Sequence, residues 1–195
     1  MALKILTAAD PIHVSRITMA LYGDPGIGKT TLAFSADKPL LLDFDTGAHR
    51  AMNRKDAVRI SSWADVDAMT QADLEPYSTI IVDTVGRMLD ALSADIMAND
   101  AKLGKGGALS QQGWGRLKAR FTGWLKMLNQ SGKDVILIAH GTEKQDGETV
   151  TARIDVQGGS KDEIYKSVDA MGRVFIKNNK PSTFITQISH SNCKL

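Results

Sequence analysis

The chain has 195 residues, 43% of them hydrophobic, and its 24 lysines and arginines nearly balance its 22 aspartates and glutamates. This length predicts a single domain over residues 1–195, large enough to fold without a disulfide or a structural metal. The lone cysteine, Cys193, excludes an intramolecular disulfide framework. The apolar runs are too short to span a bilayer, and the N-terminus lacks a secretory pattern, so we expect a cytoplasmic protein.

Short apolar runs alternate with helical patterns along the chain, which is typical of a mostly parallel sheet flanked by helices. The runs are Ile17 to Tyr22, Leu40 to Leu42, Ile80 to Val82, Val135 to Ala139 and Val174 to Ile176. Because they are continuous rather than alternating, they favour strands buried on both faces. The sequence therefore predicts an α/β fold.

Three helices are predicted between these strands. Ser62 and Asp65 form a capping-box pattern, which begins a helix through about Leu74. Apolar residues recur at helical spacing from Val85 to Ile96 and from Leu117 to Leu128. Two polar, glycine-containing stretches are predicted as loops, Asp100 to Gly115 and Gly141 to Ser160.

The most specific motif matches the phosphate-binding pattern G-x-x-x-x-G-K-[ST], and it lies between a predicted strand and a predicted helix. Glycines let the backbone curl so that its N–H groups point at phosphate oxygens. We expect Lys29 to reach the terminal phosphates and the Thr30 hydroxyl to bind Mg²⁺. The residues predicted to cradle the nucleotide are Gly23, Asp24, Pro25, Gly26, Ile27, Gly28, Lys29, Thr30 and Thr31. The motif predicts a nucleoside triphosphate site.

Four further residues are candidates for catalysis. Asp83 ends an apolar strand, where an aspartate either holds a Mg²⁺-bound water or caps the following helix. Asp43 and Asp45 fall on one side of an extended chain, so either could act as the general base, and the alternative is a pair of solvated acids. His140 ends another strand and could sense the terminal phosphate, although a lone histidine is more often structural.

Taken together, these motifs resemble the RecA-like recombinase core of phosphate-loop NTPases. The resemblance is closest to the phage-encoded AAA-type ATPases related to the Sak-four single-strand annealing proteins. It rests on GDPGIGKTT, LLLDFDTG, TIIVDT, ALSQQGWGRL and VILIAHGTEK, in that order. It implies that Asp45 activates water, that Asp83 holds the metal and that His140 is the sensor. An aspartate at position 45 is one methylene shorter than the family's glutamate, which leaves Asp43 and Asp45 both open.

The resemblance also implies the cofactors and partners. ATP and Mg²⁺ are the expected cofactors, and the partners are single-stranded DNA, other copies of the chain in a ring or filament, and a single-strand-binding protein. The two predicted loops would contact the DNA. Residues 178–195 match no motif expected of the family, which predicts a divergent or shortened member.

The residues in the two predicted loops allow DNA binding independently, because single-strand binders combine mobile cations with planar groups. The candidate DNA-contacting residues are Lys102, Lys105 and Trp114 beside Gln111 and Gln112 in the first loop, and Lys144, Arg153 and Lys161 in the second. The alternative is a set of solvated surface lysines, since Asp146, Glu148, Asp155 and Asp162 dilute the second loop's charge. Trp114 could instead pack with the amphipathic helix that follows.

Three other functions are compatible with a phosphate loop. A GTPase is suggested by D-x-x-G at Asp83 to Gly86 and by the near match of Asn179 to Ser182 to N-K-x-D, but Ser182 cannot bind guanine in the bidentate way of an aspartate. A nucleoside monophosphate kinase would need an arginine-rich lid, which is not visible. A nucleotide-gated loader or scaffold would bind ATP with negligible hydrolysis. The sequence as a whole favours an ATPase that binds single-stranded DNA and promotes annealing or strand exchange.

Overall fold

The computed structural model describes residue 7 and residues 14–147, 149–178 and 180–187. Its strands are β1 (Thr18–Gly23), β2 (Pro39–Asp43), β3 (Ala57–Arg59), β4 (Thr79–Asp83), β5 (Gly104–Lys105), β6 (Ala108–Leu109), β7 (Asp134–Asp146), β8 (Thr149–Ile154), β9 (Ala170–Lys177) and β10 (Lys180–Gln187). Its helices are α1 (Lys29–Ala33), α2 (Trp63–Ala68), α3 (Gln71–Leu74), α4 (Val85–Asn99), α5 (Gln111–Gln130) and α6 (Ser160–Ser167). Short 3₁₀ turns cover Ala48–Arg50 and Ala101–Leu103.

The central sheet has the strand order β10-β9-β1-β7-β4-β2-β3. Its neighbouring strands are parallel except for β9 and β10, which form an antiparallel hairpin at one edge. Strand β7 continues beyond the sheet and pairs antiparallel with β8, from Gly141 opposite Ile154 to Asp146 opposite Thr149. We call this two-stranded extension, Gly141–Ile154, the arm.

Both faces of the sheet are covered, which is why the central strands consist of continuous apolar residues. On one face Ala33 of α1 and Phe34, which follows the helix, are buried in a cluster with Leu41, Ile81 and Ile138. The other face carries the larger core, where the apolar sides of α4 and α5 bury Leu92 and Phe121. The helices therefore flank a mostly parallel sheet, as the sequence predicts.

The apolar runs correctly locate β1, β2, β4, β7 and β9, and the helical spacing correctly locates α4 and α5. The helix predicted from Ser62 through about Leu74 is wrong in extent, because it breaks after Ala68. Its capping box is present, with the Asp65 carboxylate accepting the N–H groups of Ser61 and Ser62. Thr70 caps a separate short helix, since its side chain accepts the N–H of Asp73.

The two predicted loops contain more regular structure than the sequence indicates. In the first, a 3₁₀ turn and the β5–β6 hairpin precede α5, which begins at Gln111 because the Ser110 side chain accepts the N–H of Gly113. Most of the second predicted loop is the arm. Its residues are polar, and they are compatible with strands because the arm forms by backbone pairing and not by burial of side chains. Glu148, Asn179 and Cys193 lie outside the described residues. None of the helices in the described ranges is long and apolar enough to cross a bilayer.

Candidate functional site

The candidate site is a cleft of about 880 Å³ at the carboxyl ends of the parallel strands. Strands β1, β4 and β2 end here at Gly23, Asp83 and Asp43, and the chain then turns into the segments that line the cleft. In open parallel sheets the carboxyl ends are the usual place for a ligand, because the loops that follow neighbouring strands diverge there.

The phosphate loop connects β1 to α1, and two of its glycines are required for different reasons. Gly28 has φ +98°, a left-handed conformation that disfavours other residues. Gly23 is required because a larger residue would not fit: a Cβ at this position would lie 2.2 Å from the carbonyl oxygen of Val174 on the neighbouring strand β9. The loop residues from Pro25 to Thr31 all line the cleft.

Lys29 is 6% exposed and folds back over its own loop. Its ammonium group donates hydrogen bonds to the carbonyl oxygens of Gly23 at 3.0 Å and Asp24 at 2.8 Å. Burial lowers the pKa of Lys29, while the nearby carboxylates of Asp83, Asp24 and Asp45 act in the opposite direction. A nucleotide would therefore meet an ammonium group that is already desolvated and positioned by the loop.

Thr30 and Asp83 meet at the base of the cleft. The Thr30 hydroxyl donates a 2.6 Å hydrogen bond to Oδ2 of Asp83, which is itself 6% exposed. Burial is the main reason that the pKa of Asp83 is raised, and Asp43 and Asp45 add to it, whereas the Thr30 hydrogen bond and Lys29 lower it. Magnesium prefers oxygen ligands, and a hydroxyl beside a buried carboxylate fits that preference.

Asp43 and Asp45 are placed differently, although they are close in sequence. Both oxygens of Asp43 accept backbone N–H groups, from Gly47 and Ala48, each at 3.0 Å. Asp45 instead lines the cleft. The alternation expected for these two acids is wrong because β2 ends at Asp43 and the chain bends from Phe44 onwards.

His140 lies on β7 directly opposite Gly23 and lines the cleft. Its Nδ1 is buried and has no hydrogen-bond partner within the described part of the chain. The next residue, Gly141, begins the arm and packs so closely on the phosphate loop that a Cβ there would lie 3.0 Å from Cα of Gly23. The cleft and the arm are therefore in direct contact.

Several cleft residues were not found by sequence reasoning: Arg50, Ala51, Met52, Val174, Pro181 and Thr183. Pro181 and Thr183 belong to β10, which reaches the cleft only through its pairing with β9. Arg50 could have been suspected from the sequence, because it is a cation shortly after the two acids Asp43 and Asp45.

Of the residues that suggested a GTPase, Gly86 lies in the first turn of α4 and Ser182 in β10, while Asn179 is outside the described residues.

The candidate DNA-contacting residues lie outside the cleft lining. Lys102 and Lys105 are exposed beside the β5–β6 hairpin, Lys144 and Arg153 are exposed on the arm, and Lys161 is half-buried on α6. None of these five forms an ion pair with another described residue.

Trp114 lies in the first turn of α5 rather than in a loop, and it is 39% exposed. A Cβ on Gly158 would lie 3.5 Å from its ring, so the two predicted loop regions meet at this residue.

Comparison with known proteins agrees with this geometry. A family profile described as an AAA domain matches residues 15–194. Among solved structures, a KaiC-like protein from the hyperthermophilic archaeon Pyrococcus horikoshii OT3 has a TM-score of 0.50 at 10% identity, covering 88% of this chain and 77% of that one. At such low identity the likeness concerns the fold alone, and the fold is the RecA-like arrangement that the sequence predicts. No curated protein matches the chain.

Proposed function

We propose that the chain, which belongs to the AAA domain family and has a RecA-like phosphate-loop fold, binds ATP and is a Mg²⁺-dependent ATPase. The observation that carries this proposal is the convergence of Lys29, Thr30 and Asp83 at the base of one cleft. Asp45 lines the same cleft, so a group able to accept a proton lies beside the groups suited to phosphates.

The residues have separate roles in hydrolysis. Lys29 exchanges the loop carbonyls for phosphate oxygens, and the loop amides bind the remaining oxygens. Asp45 accepts a proton from the attacking water, because it lines the cleft, whereas Asp43 lies outside the lining with both oxygens accepting backbone N–H groups. His140 senses the terminal phosphate through Nδ1, which has no hydrogen-bond partner among the described residues, and the next residue, Gly141, passes the state of the cleft to the arm.

The hydroxyl of Thr30 and the carboxylate of Asp83 are the groups that would hold Mg²⁺. When bound, the ion neutralises charge on the phosphate oxygens.

The first test is ATP binding and turnover with and without Mg²⁺, comparing wild type with Lys29→Ala. We expect Lys29→Ala to lose tight ATP binding, because it removes the cation at the β- and γ-phosphates. Its fold, checked by circular dichroism, should be retained since Lys29 faces the loop. Equal ATP affinity in both proteins would contradict the proposed site. Tight binding without turnover would instead identify a nucleotide-gated loader or scaffold.

We further propose that the ATPase binds single-stranded DNA and promotes annealing or strand exchange, as a phage-encoded relative of the Sak-four annealing proteins. The placement of the candidate residues supports this. Lys102 and Lys105 are exposed and unpaired within the described residues, and they are close in sequence to Trp114, which meets the segment after the arm. Cations around a partly exposed aromatic ring are the chemistry by which proteins bind single strands.

The DNA proposal is tested by ATPase activity and annealing assays with added single- or double-stranded DNA. We expect single strands to stimulate turnover and to bind more weakly as salt increases. Since the net charge is only +2, assembly into a ring or filament would multiply weak contacts, so binding is measured at concentrations that span assembly. Failure of the assembled, ATP-bound protein to bind any single strand at low salt would leave the scaffold as the better account. A single-strand-binding protein is the expected partner in the same reaction.

A further inference from the structure

One cation in the cleft has no role in the mechanism above. Arg50 ends the 3₁₀ turn that follows β2, and it lines the cleft together with Asp45. Its Nη2 donates to Oδ2 of Asp45 at 3.1 Å. A second guanidinium approaches the other oxygen, since Nε of Arg87 on α4 lies 3.6 Å from Oδ1 of Asp45. Arg87 is not among the residues that line the cleft.

The position of the Arg50 guanidinium depends on the glycine at position 47. A Cβ on Gly47 would lie 2.4 Å from Nη2 and 3.2 Å from Cζ of Arg50. The backbone does not require glycine here, because Gly47 has φ −99°. Glycine is needed only so that the end of the arginine side chain can cross this point and reach Asp45.

The contact with Asp45 is incompatible with Asp45 acting as a base. Each guanidinium lies against one oxygen of Asp45 and so obstructs the lone pairs that would accept the proton. Hydrolysis therefore requires at least one of the two arginines to leave. Arg50 is the one inside the cleft, and a phosphate group competes well for an arginine because it accepts the same forked pair of hydrogen bonds.

We propose that Arg50 is a ligand of the terminal phosphate, and that it moves from Asp45 to this phosphate when ATP binds. The move leaves Asp45 free to accept a proton, with Arg87 still fixing the direction of its side chain. ADP lacks the terminal phosphate, so with ADP Arg50 stays on Asp45. This inference rests on the proposed ATP site and adds a residue of the same chain that distinguishes ATP from ADP.

The test measures dissociation constants for a non-hydrolysable ATP analogue and for ADP. We expect Arg50→Gln to weaken the ATP analogue by about 10- to 100-fold, the usual effect of losing a charged hydrogen bond, and to leave ADP unchanged. Arg87→Gln is the matched control, because it removes the other guanidinium from Asp45. Arg87→Gln should keep the wild-type ratio of the dissociation constants for the ATP analogue and for ADP.

Gly47→Ala separates the two positions of Arg50. The three atoms nearest to a Cβ at Gly47, itself a cleft-lining residue, all belong to the Arg50 guanidinium, so the change obstructs the contact seen without nucleotide. Because these atoms are the flexible end of a side chain, the melting temperature should not change. We expect its affinity for the ATP analogue to equal or exceed that of wild type, since a competing contact is weakened.

The proposal is wrong if Arg50→Gln weakens ATP and ADP equally, if it weakens neither, or if Gly47→Ala loses affinity for the ATP analogue as Arg50→Gln does. A wild-type protein that binds neither nucleotide would contradict the ATP site itself, and the two failures are therefore distinct.

Discussion

Asp43 and Asp45 show how the function of a carboxylate depends on what its oxygens contact. Asp43 fixes the turn after β2 by accepting two backbone N–H groups inside the protein. Asp45 lies beyond that turn, in the cleft, where it contacts two arginine side chains. The first acid thus supports the position of the second, and substitutions at the two sites should have different effects.

We expect Asp45→Asn to lower kcat by about 100- to 10,000-fold with little change in ATP affinity, because a base acts in the transition state. Asp43→Asn should instead lower stability by about 1–3 kcal/mol, since the amide accepts only one of the two N–H groups and leaves the other buried and unpaired. Turnover assays and thermal melts of both variants check this. Full activity of Asp45→Asn beside an inactive but stable Asp43→Asn would identify Asp43 as the base.

Asp83 gives a pH-dependent prediction. Burial raises its pKa above the value in the unfolded chain, about 3.9. Between these two pKa values the folded state binds more protons than the unfolded state, so stability falls as the pH rises through this window, and the loss persists above the folded pKa. Asp83→Asn removes the buried charge and keeps an oxygen that accepts the Thr30 hydroxyl.

We therefore expect nucleotide-free Asp83→Asn to melt at a higher temperature than wild type at pH 7.5, with the difference shrinking towards pH 4. The same variant should lose Mg²⁺-dependent hydrolysis. Melting curves from pH 4 to pH 8 measure the effect, with Asp90→Asn as the control at a carboxylate that is 70% exposed. A variant that melts below wild type across this range would contradict the argument.

At the scale of elements, the sequence predicted those whose apolar residues are buried. The core strands and α4 and α5 have continuous or periodic apolar residues because they pack between layers. Strand β3 is exposed throughout, and β8 pairs only in the arm, so neither carries a burial pattern. The first turn of α6 has two acidic residues, and only Ser160 and Ile164 of this helix are buried. β3 and β8 form by backbone pairing with β2 and β7, and α6 has no side-chain cap at its N-terminus, so hydrophobic periodicity identifies none of the three.

The candidate site also contains residues that a local sequence motif identifies and contacts that no motif identifies. The phosphate-loop residues form a local string; Pro25 to Thr31 line the cleft, whereas Gly23 and Asp24 are not among its lining residues. The contact between Arg50 and Asp45 was not predictable, because it depends on the bend after β2 and on the space left by Gly47. The spacing of residues in the sequence indicates neither this bend nor this space.

The segment that contains the β5–β6 hairpin gives a prediction for DNA. We expect Lys102→Ala with Lys105→Ala to weaken single-strand binding for all sequences. The plot of log K against log salt should flatten by up to about 1.4, since each phosphate contact contributes about 0.7. Fluorescence anisotropy across a salt series measures both effects. Arg54→Ala with Lys55→Ala removes the same charge from exposed positions before β3 and should leave the slope unchanged.

Trp114→Ala refines the same experiment. If a base stacks on the exposed part of the ring, DNA affinity should fall by about 1–3 kcal/mol. The melting temperature should change little, because the ring is 39% exposed. A large drop in melting temperature with DNA affinity retained would assign the ring to packing against Gly158.

At the scale of the whole molecule, nucleotide binding should stabilise the fold. A ligand at 100 times its Kd adds about 2.7 kcal/mol, and a chain of this size gains about 2–4 °C per kcal/mol, so Mg²⁺ and ATP should raise the melting temperature by about 5–11 °C. GTP at the same concentration should give a smaller shift, because Ser182 replaces the aspartate that reads guanine. Lys29→Ala should show no shift. A larger shift with GTP would favour the GTPase interpretation.

The placement of β1 in the middle of the sheet has a consequence during protein synthesis. The phosphate loop is encoded near the start of the chain, but the contacts at the base of β1 come from much later residues. Ile17 donates to Asp134, 117 residues away, and Thr18 donates to Asp169, 151 residues away. Among the strands in the described residues, β1 pairs with β7 and β9, and β7 is the first of these to be translated. A nascent chain ending before β7 therefore carries the complete phosphate motif without the strands that pair with β1, and we expect it not to retain ATP, so nucleotide capture reports that translation has passed β7.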